Sequence, residues 1–293
     1  MPRPAAISHA SPDSPLSDSR RLPVPDAARP PGRPLASDLR GLDDMTERHL
    51  ARSAGRAIMY GAAVAAGACA AYAGTTWLRY GRVAPAGADD VDPMLDQFMP
   101  GFEVAERHHA AVSAPADLTY AAACDVDLQR SAIVRSVFEA REVAFGADAD
   151  ETPRPRGIVA LTKSLGWGVL AEIPGREIVM GAVTQPWQAN VTFRALPPET
   201  FAAFNEPGYV KIVWSLRADP VSASKSIART ETRVTTTDPG ARQKFRRYWS
   251  VFSPGIVLIR RVLLRLVKSD AERRARERSI HADRLDATAA RPI

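Results

Sequence analysis

Cysteine is scarce in this chain, and the familiar catalytic signatures are missing. The 293 residues include two cysteines, Cys69 and Cys124. The first lies inside an apolar run and the second in a segment that reads as a surface helix. The two are therefore not expected to pair, and cysteine usage does not fix the redox compartment. There is no His-Glu-x-x-His, no paired Cys-x-x-Cys, no phosphate-binding glycine loop and no Gly-x-Ser-x-Gly nucleophile turn. His108 and His109 are adjacent on a predicted strand, so their side chains point to opposite faces and do not readily clasp one ion. No metal and no cofactor are expected from these patterns.

Proline is plentiful, by contrast, at the start. Residues 1 to 36 are crowded with proline, serine and arginine and show no periodic apolar pattern. Such a segment buries too little apolar surface to offset the entropy of ordering it. A disordered Pro/Arg-rich tail is expected over 1–56. The net charge of +6 is concentrated at the other end, from Arg242 to Arg278. A basic end suits a solvated helix face or contact with anionic headgroups. It is not read as a nucleic-acid interface, because no zinc-ligand set, recognition-helix pattern or RNA-binding aromatic motif accompanies it.

Long charge-free runs are also missing, with one exception. Ala57 to Leu78 is a stretch of 22 residues without a charge, long enough to cross a bilayer as a helix. It is rich in alanine and glycine, so its insertion free energy should lie close to neutral. Trp77 and Tyr80 suit an interfacial belt at one end. The leading expectation is a single transmembrane helix over 57–79. A late signal peptide and a soluble alanine-rich helix are the alternatives. Arg40, Arg48, Arg52 and Arg56 precede the run and Arg79 and Arg82 follow it. That excess favours a cytoplasmic N-terminus with the folded region extracytoplasmic.

Residues 80–100, rich in proline, glycine and aspartate, read as a linker. A strand is expected over Phe102 to Val112, then helices over Leu118 to Cys124 and Leu128 to Phe145. Further strands are expected at Ile158 to Leu161, Trp167 to Ile173, Glu177 to Thr184, Val191 to Arg194, Tyr209 to Arg217 and Ser224 to Thr236. A turn of helix is expected near Pro198 to Phe204. In the fifth of those segments Val210, Ile212, Trp214 and Leu216 share one face. In the sixth, Ser224, Ser226, Ala228, Thr230, Thr232 and Val234 oppose Lys225, Arg229, Glu231 and Arg233. Charged residues prefer water, so the small-residue face is expected to point inward and to leave room for a cavity. A long helix then opens at Asp238-Pro239 and carries Phe245, Tyr248, Trp249 and Phe252 on one face. Ser253-Pro254-Gly255 is expected to interrupt it, and 271–293 to form a basic tail. Its second part, Ile256 to Val267, reads either as packed on the sheet edge or as lying on a membrane surface.

This order of strand, helices, sheet and long terminal helix resembles the START and polyketide-cyclase-like (SRPBCC) superfamily over roughly Gly101 to Arg273. The resemblance is carried by Val112-Ser113-Ala114-Pro115 with Thr119-Tyr120-Ala121-Ala122, and by Val169-Leu170-Ala171-Glu172 through Arg176-Glu177-Ile178-Val179-Met180-Gly181. Thr230-Glu231-Thr232-Arg233-Val234 followed by Phe245-Arg246-Arg247-Tyr248-Trp249 adds to it. The implied class is α+β, a helix-grip fold in which a curved antiparallel sheet wraps a C-terminal helix around a hydrophobic tunnel. Members bind lipids, sterols or polyketide-like molecules, and a minority catalyse cyclisation or dehydration.

The implied domain is 101–270, and its implied partner is a hydrophobic small molecule or lipid. The residues expected to line the site are Trp167, Met180, Trp187, Trp214, Thr230, Thr232, Phe245, Trp249 and Phe252. Membrane attachment is expected through 57–79, with the basic C-terminal helix as a second contact. A cyclase or dehydratase is the alternative, with Glu172, Glu177, Glu231 or His108 as its titratable group. A protein-interaction or chaperone-like module is a third.

Overall fold

The computed structural model describes residues 36–87, 90–146 and 155–289. The tail expected over 1–35 lies outside them. The chain divides into two units, Met1–Ala63 and Val64–Ile293. Helix α1 (Ala36–Arg79) begins twenty-one residues before the expected span, so 36–56 is helical where a disordered tail was expected. Alanine, leucine and arginine dominate that stretch, and their helix propensity is high enough to extend the apolar run backwards. Within α1, the 24 residues Arg56–Arg79 are long and apolar enough to cross a membrane, with mean hydropathy 1.4 and none of the apolar window buried.

The folded region is a six-stranded antiparallel sheet gripping one long helix. Its strands are β1 (Val104–Val112), β2 (Gly168–Ile173), β3 (Glu177–Thr184), β4 (Phe193–Arg194), β5 (Val210–Ser222) and β6 (Lys225–Thr236). The order across the sheet is β1-β6-β5-β3-β2, with β4 also on β3. Around it lie α2 (Pro93–Phe98), α3 (Ala116–Asp125), α4 (Ala132–Phe145), α5 (Ile158–Ser164), α6 (Pro198–Phe201) and α7 (Pro239–Ala289). This is an α+β helix-grip architecture.

Period-2 alternation decides which side chains meet α7. Trp214, Leu216 and Ala218 of β5 and Ala228 of β6 join Ile178 and Met180 against Val262, Leu263 and Val267 of α7. Nearer the start of α7, Val104, Val210 and Val234 pack with Phe245 and Trp249. The opposite face is covered as well. Val179 and Val213 are buried there under Leu95, Met99 and Phe201. Close approach on this face requires Gly181, because a Cβ there would meet Leu170 Cδ1 at 2.5 Å and Phe201 Cε2 at 2.8 Å.

That second cover corrects one expectation. The charged residues of β6 do face away from α7, but Glu231 and Arg233 are buried. Arg233 pairs with Glu231 at 2.7 Å and Asp96 at 2.6 Å, and donates to the Met99 carbonyl at 3.0 Å. Its guanidinium also lies over the Phe102 ring at 4.7 Å. Residues 90–100, expected as part of a linker, fold back over these charges and supply partners for them, with Phe102 beside them. Asp92 caps α2 by accepting from Leu95 N at 3.0 Å.

Three further expectations differ from the structure. Ile158 to Leu161 is the start of helix α5, entered from Gly157 at φ 86°. A four-residue apolar run does not separate strand from buried helix. Residues 80–100 are only partly a linker, since they include α2. Helix α7 runs unbroken through Pro254 and on to Ala289, with no interruption and no separate tail from 271. The lost hydrogen bond at Pro254 is offset by packing on both sides. Ser253 is buried, and Gly255 sits so close to α4 that a Cβ would lie 2.7 Å from Val137 Cγ1.

Candidate functional site

The α7-facing surface of the sheet carries a small polar group set in an apolar bed. Register places Glu106 opposite Thr232, Thr232 opposite Trp214 and Trp214 opposite Met180. In the adjoining row His108 faces Thr230 and Thr230 faces Leu216. Directly paired side chains of a sheet have Cβ atoms about 4.5–5.5 Å apart. Glu106, His108, Thr230, Thr232 and Trp214 therefore form one contiguous patch.

Arg260 of α7 closes over this patch, its guanidinium carbon 5.4 Å from the centre of the Trp214 ring. The helix places it there by spacing. Phe245, Trp249, Ser253, Ile256, Arg260, Leu263 and Val267 succeed one another by three or four residues, the inward stripe of a helix. Desolvation pushes the Arg260 guanidinium down to about 10, with the charge of Glu106 acting in the opposite direction. It remains a cation at neutral pH.

The polar atoms beneath it are poorly matched. Thr230 Oγ1, Thr232 Oγ1 and His108 Nε2 are buried without a protein hydrogen-bond partner. The nearest acid to His108 is Glu106, whose Oε2 lies 3.5 Å from Nε2, too long for a good hydrogen bond. Buried hydroxyls normally find partners. These hydroxyls, and a cation lying over an aromatic face, are disposed to accept or donate to a ligand group. The arrangement can orient a polar group on an otherwise apolar molecule.

The nine residues expected to line the site divide into groups. Met180, Trp214, Thr230 and Thr232 share the floor just described. Phe245 and Trp249 stand on α7, their rings 5.8 Å apart. Phe252 stacks on Tyr248 at 5.0 Å and on Phe145 of α4 at 5.1 Å, away from the floor. Trp187 packs at the edge of the Phe245 cluster, with Lys244 5.7 Å from its ring. Trp167 meets Phe193 of β4 at 5.1 Å. Where the small side chains of β6 were expected to leave a cavity, Trp214 and Arg260 lie against each other. A cleft of about 270 Å³, lined in part by Tyr72, Tyr80, Glu103, Glu106 and Trp249, opens beside the patch.

Of the titratable groups singled out, His108 alone reaches this surface. Glu172 is exposed and accepts from Tyr120 Oη at 3.0 Å. Glu231 lies on the opposite face, paired with Arg107 at 3.0 Å as well as Arg233. Glu177 is also on that opposite face, where burial and the neighbouring Asp92 push its carboxyl up to about 8. Sequence reasoning missed Glu106 and Arg260. The alternation of β1 and the inward stripe of α7 were the signals that could have found them.

No family model and no curated protein matches the chain. Among solved structures it is similar to the di-domain ARO/CYC protein BexL, 17% identical, covering 58% of this chain and 46% of that one, with a TM-score of 0.26. The chain thus spans about half the length of that protein. It is also similar to the Zhui aromatase/cyclase from a Streptomyces species, 15% identical, covering 58% of this chain and 94% of that one, TM-score 0.21. A third is a hypothetical protein from Helicobacter pylori, 7% identical, covering 64% and 99%, TM-score 0.31. Aromatase/cyclases are thus among the structural neighbours, while TM-scores this low carry no argument about what the chain binds; its helix-grip architecture rests on the sheet and helix described above.

Proposed function

We propose that the folded region binds a hydrophobic small molecule or lipid between the sheet and α7, and that Arg56–Arg79 anchors it in a membrane. The observation that supports binding is the pairing of an apolar bed with a few convergent polar groups: Thr230, Thr232 and His108, whose buried atoms have no hydrogen-bond partner among the described residues, and Arg260 over Trp214. Ligand sites are typically built in this way, with apolar walls for affinity and sparse polar groups for orientation. The exposed apolar stretch of α1 supports anchoring. The arginine excess before it favours an extracytoplasmic domain.

Native mass spectrometry of full-length protein from its own cells tests the binding reading. The expected spectrum shows one apolar molecule per chain, released on denaturation. A protein that is bare and stays bare against a lipid panel would refute it. Protease accessibility in intact cells tests the orientation.

A second reading, a cyclase- or dehydratase-type enzyme in the same place, is favoured by the approach of His108 to Glu106 beside Arg260. It requires turnover of a bound substrate that falls in both His108→Gln and Glu106→Gln while binding persists. Binding without turnover leaves the first reading standing.

A further inference from the structure

We propose a second binding site, adjoining the first at His108, for a phosphate-type oxyanion in the cleft between the β1 edge and α7. This cleft of about 290 Å³ is lined by His108, His109, Arg261, Arg265 and Lys268, with Ala110 and Leu264 as its apolar part. Five of its seven lining residues are basic or imidazole, and none is acidic. The nearest carboxylates lie at its margins. Glu272 accepts from Lys268 Nζ, which also donates to the Ala111 carbonyl at 2.7 Å, and Glu106 approaches His108 from the interior side.

The charge here lacks the carboxylate partners that several other arginines of α7 have. Arg273 pairs with Asp270 and Glu277, Arg274 with Asp125 and Asp270, Arg278 with Asp117 and Arg242 with Glu103. Arg261 and Arg265 have no hydrogen bond or ion pair among the described residues. They sit one turn apart, with Lys268 one further turn along the same face. Like charges at that spacing destabilise a helix, and only Lys268 has a carboxylate, Glu272, to offset the cost. A doubly charged oxyanion would do so, since planar guanidinium groups match phosphate oxygens with paired hydrogen bonds. Leu264 and Ala110 give an attached carbon chain an apolar surface. The phosphate is therefore read as part of an organic ester, carried either by a lipid headgroup or by a free phosphorylated molecule.

The test uses the full chain in detergent, following the thermal midpoint during titration with inorganic phosphate, dihexanoylphosphatidylglycerol and dihexanoylphosphatidylcholine. The expected result is a saturable rise with at least one of the first two and none with the zwitterion. A rise with phosphatidylglycerol alone assigns a lipid headgroup, and a rise with inorganic phosphate as well assigns the free ester. Arg261→Gln/Arg265→Gln should weaken the response roughly tenfold or more, as expected for losing charge-assisted hydrogen bonds. Arg247→Gln, nearly four turns before Arg261 on α7 and outside the cleft, should leave it unchanged. If the double variant does not fold, Arg265→Gln alone carries the comparison. The proposal is overturned by no saturable response, or by equal weakening in Arg247→Gln. None of these outcomes depends on whether the interior holds an apolar ligand.

Discussion

Arg233 shows how much a single side chain can hold. It is 2% exposed and is neutralised by Glu231 and Asp96 under Phe102. Removing one member of a buried pair leaves the other charge unsolvated, at a cost of about 3–5 kcal/mol. Arg233→Ala should therefore lower the unfolding free energy measured in urea by that amount, whereas Arg247→Ala, at an exposed position, should change it by less than about 0.5 kcal/mol. Glu177 makes a pH prediction. Its folded-state value of about 8 lies above the ordinary 4.5, so the folded chain holds an extra proton between those values. The stability tied to that proton is complete below the lower value and is lost as pH rises through the higher one. Glu177→Gln keeps a neutral side chain beside Asp92. Its thermal midpoint should fall less than that of the parent between about pH 5 and 9, and equal falls in both would discount the buried carboxyl. Residue identities of this kind were only partly legible. The aromatic floor at Trp214 followed from strand alternation. Arg260 was missed, although its spacing from Ile256 and Leu263 places it inward.

Strands were the most legible elements, because a buried face enforces period 2 over their whole length. Segments β3, β5 and β6 lie within a few residues of where alternation put them. What alternation could not show was a second covered face, since that depends on α2 and residues 99–102 folding back from a distance in sequence. Short elements failed for the converse reason. The apolar residues of α5 number too few to reveal a period, and Gly157 rather than the run itself sets the helix start. Pro254 misled because local rules weigh one lost hydrogen bond, while packing along both flanks of α7 outweighs it. Gly181 tests the element-level account. Gly181→Ala would press a methyl group into Leu170 and Phe201 and should destabilise the protein by about 1–3 kcal/mol, as overpacking does. An unchanged midpoint would mean that α6 and β2 are not held as tightly as their contacts imply.

At the scale of the whole molecule, the end of α1 belongs to the folded region rather than to a free tether. Tyr80 is 9% exposed, its hydroxyl donates to Glu103 at 2.8 Å, and its ring meets Phe245 at 6.1 Å. Arg246 donates twice to the Trp77 carbonyl, at 2.7 and 2.9 Å, and its guanidinium lies 4.1 Å from the Trp77 ring centre. A chain beginning at Val83 should therefore be less stable than one beginning at Ala71 by about 3 kcal/mol, the usual cost of emptying a buried aromatic site. Equal midpoints in thermal denaturation would show that the docked end contributes nothing. The central claim is that an apolar molecule sits between sheet and α7, and covalent mapping tests it most directly. Full-length protein would be irradiated with a diazirine-bearing fatty-acyl probe, digested and sequenced by mass spectrometry. The account predicts saturable labelling of peptides containing Trp214, Thr230, Thr232 and Arg260, lost on competition with unlabelled ligand. Labelling confined to Arg56–Arg79, or no labelling of the sheet and α7, would contradict it.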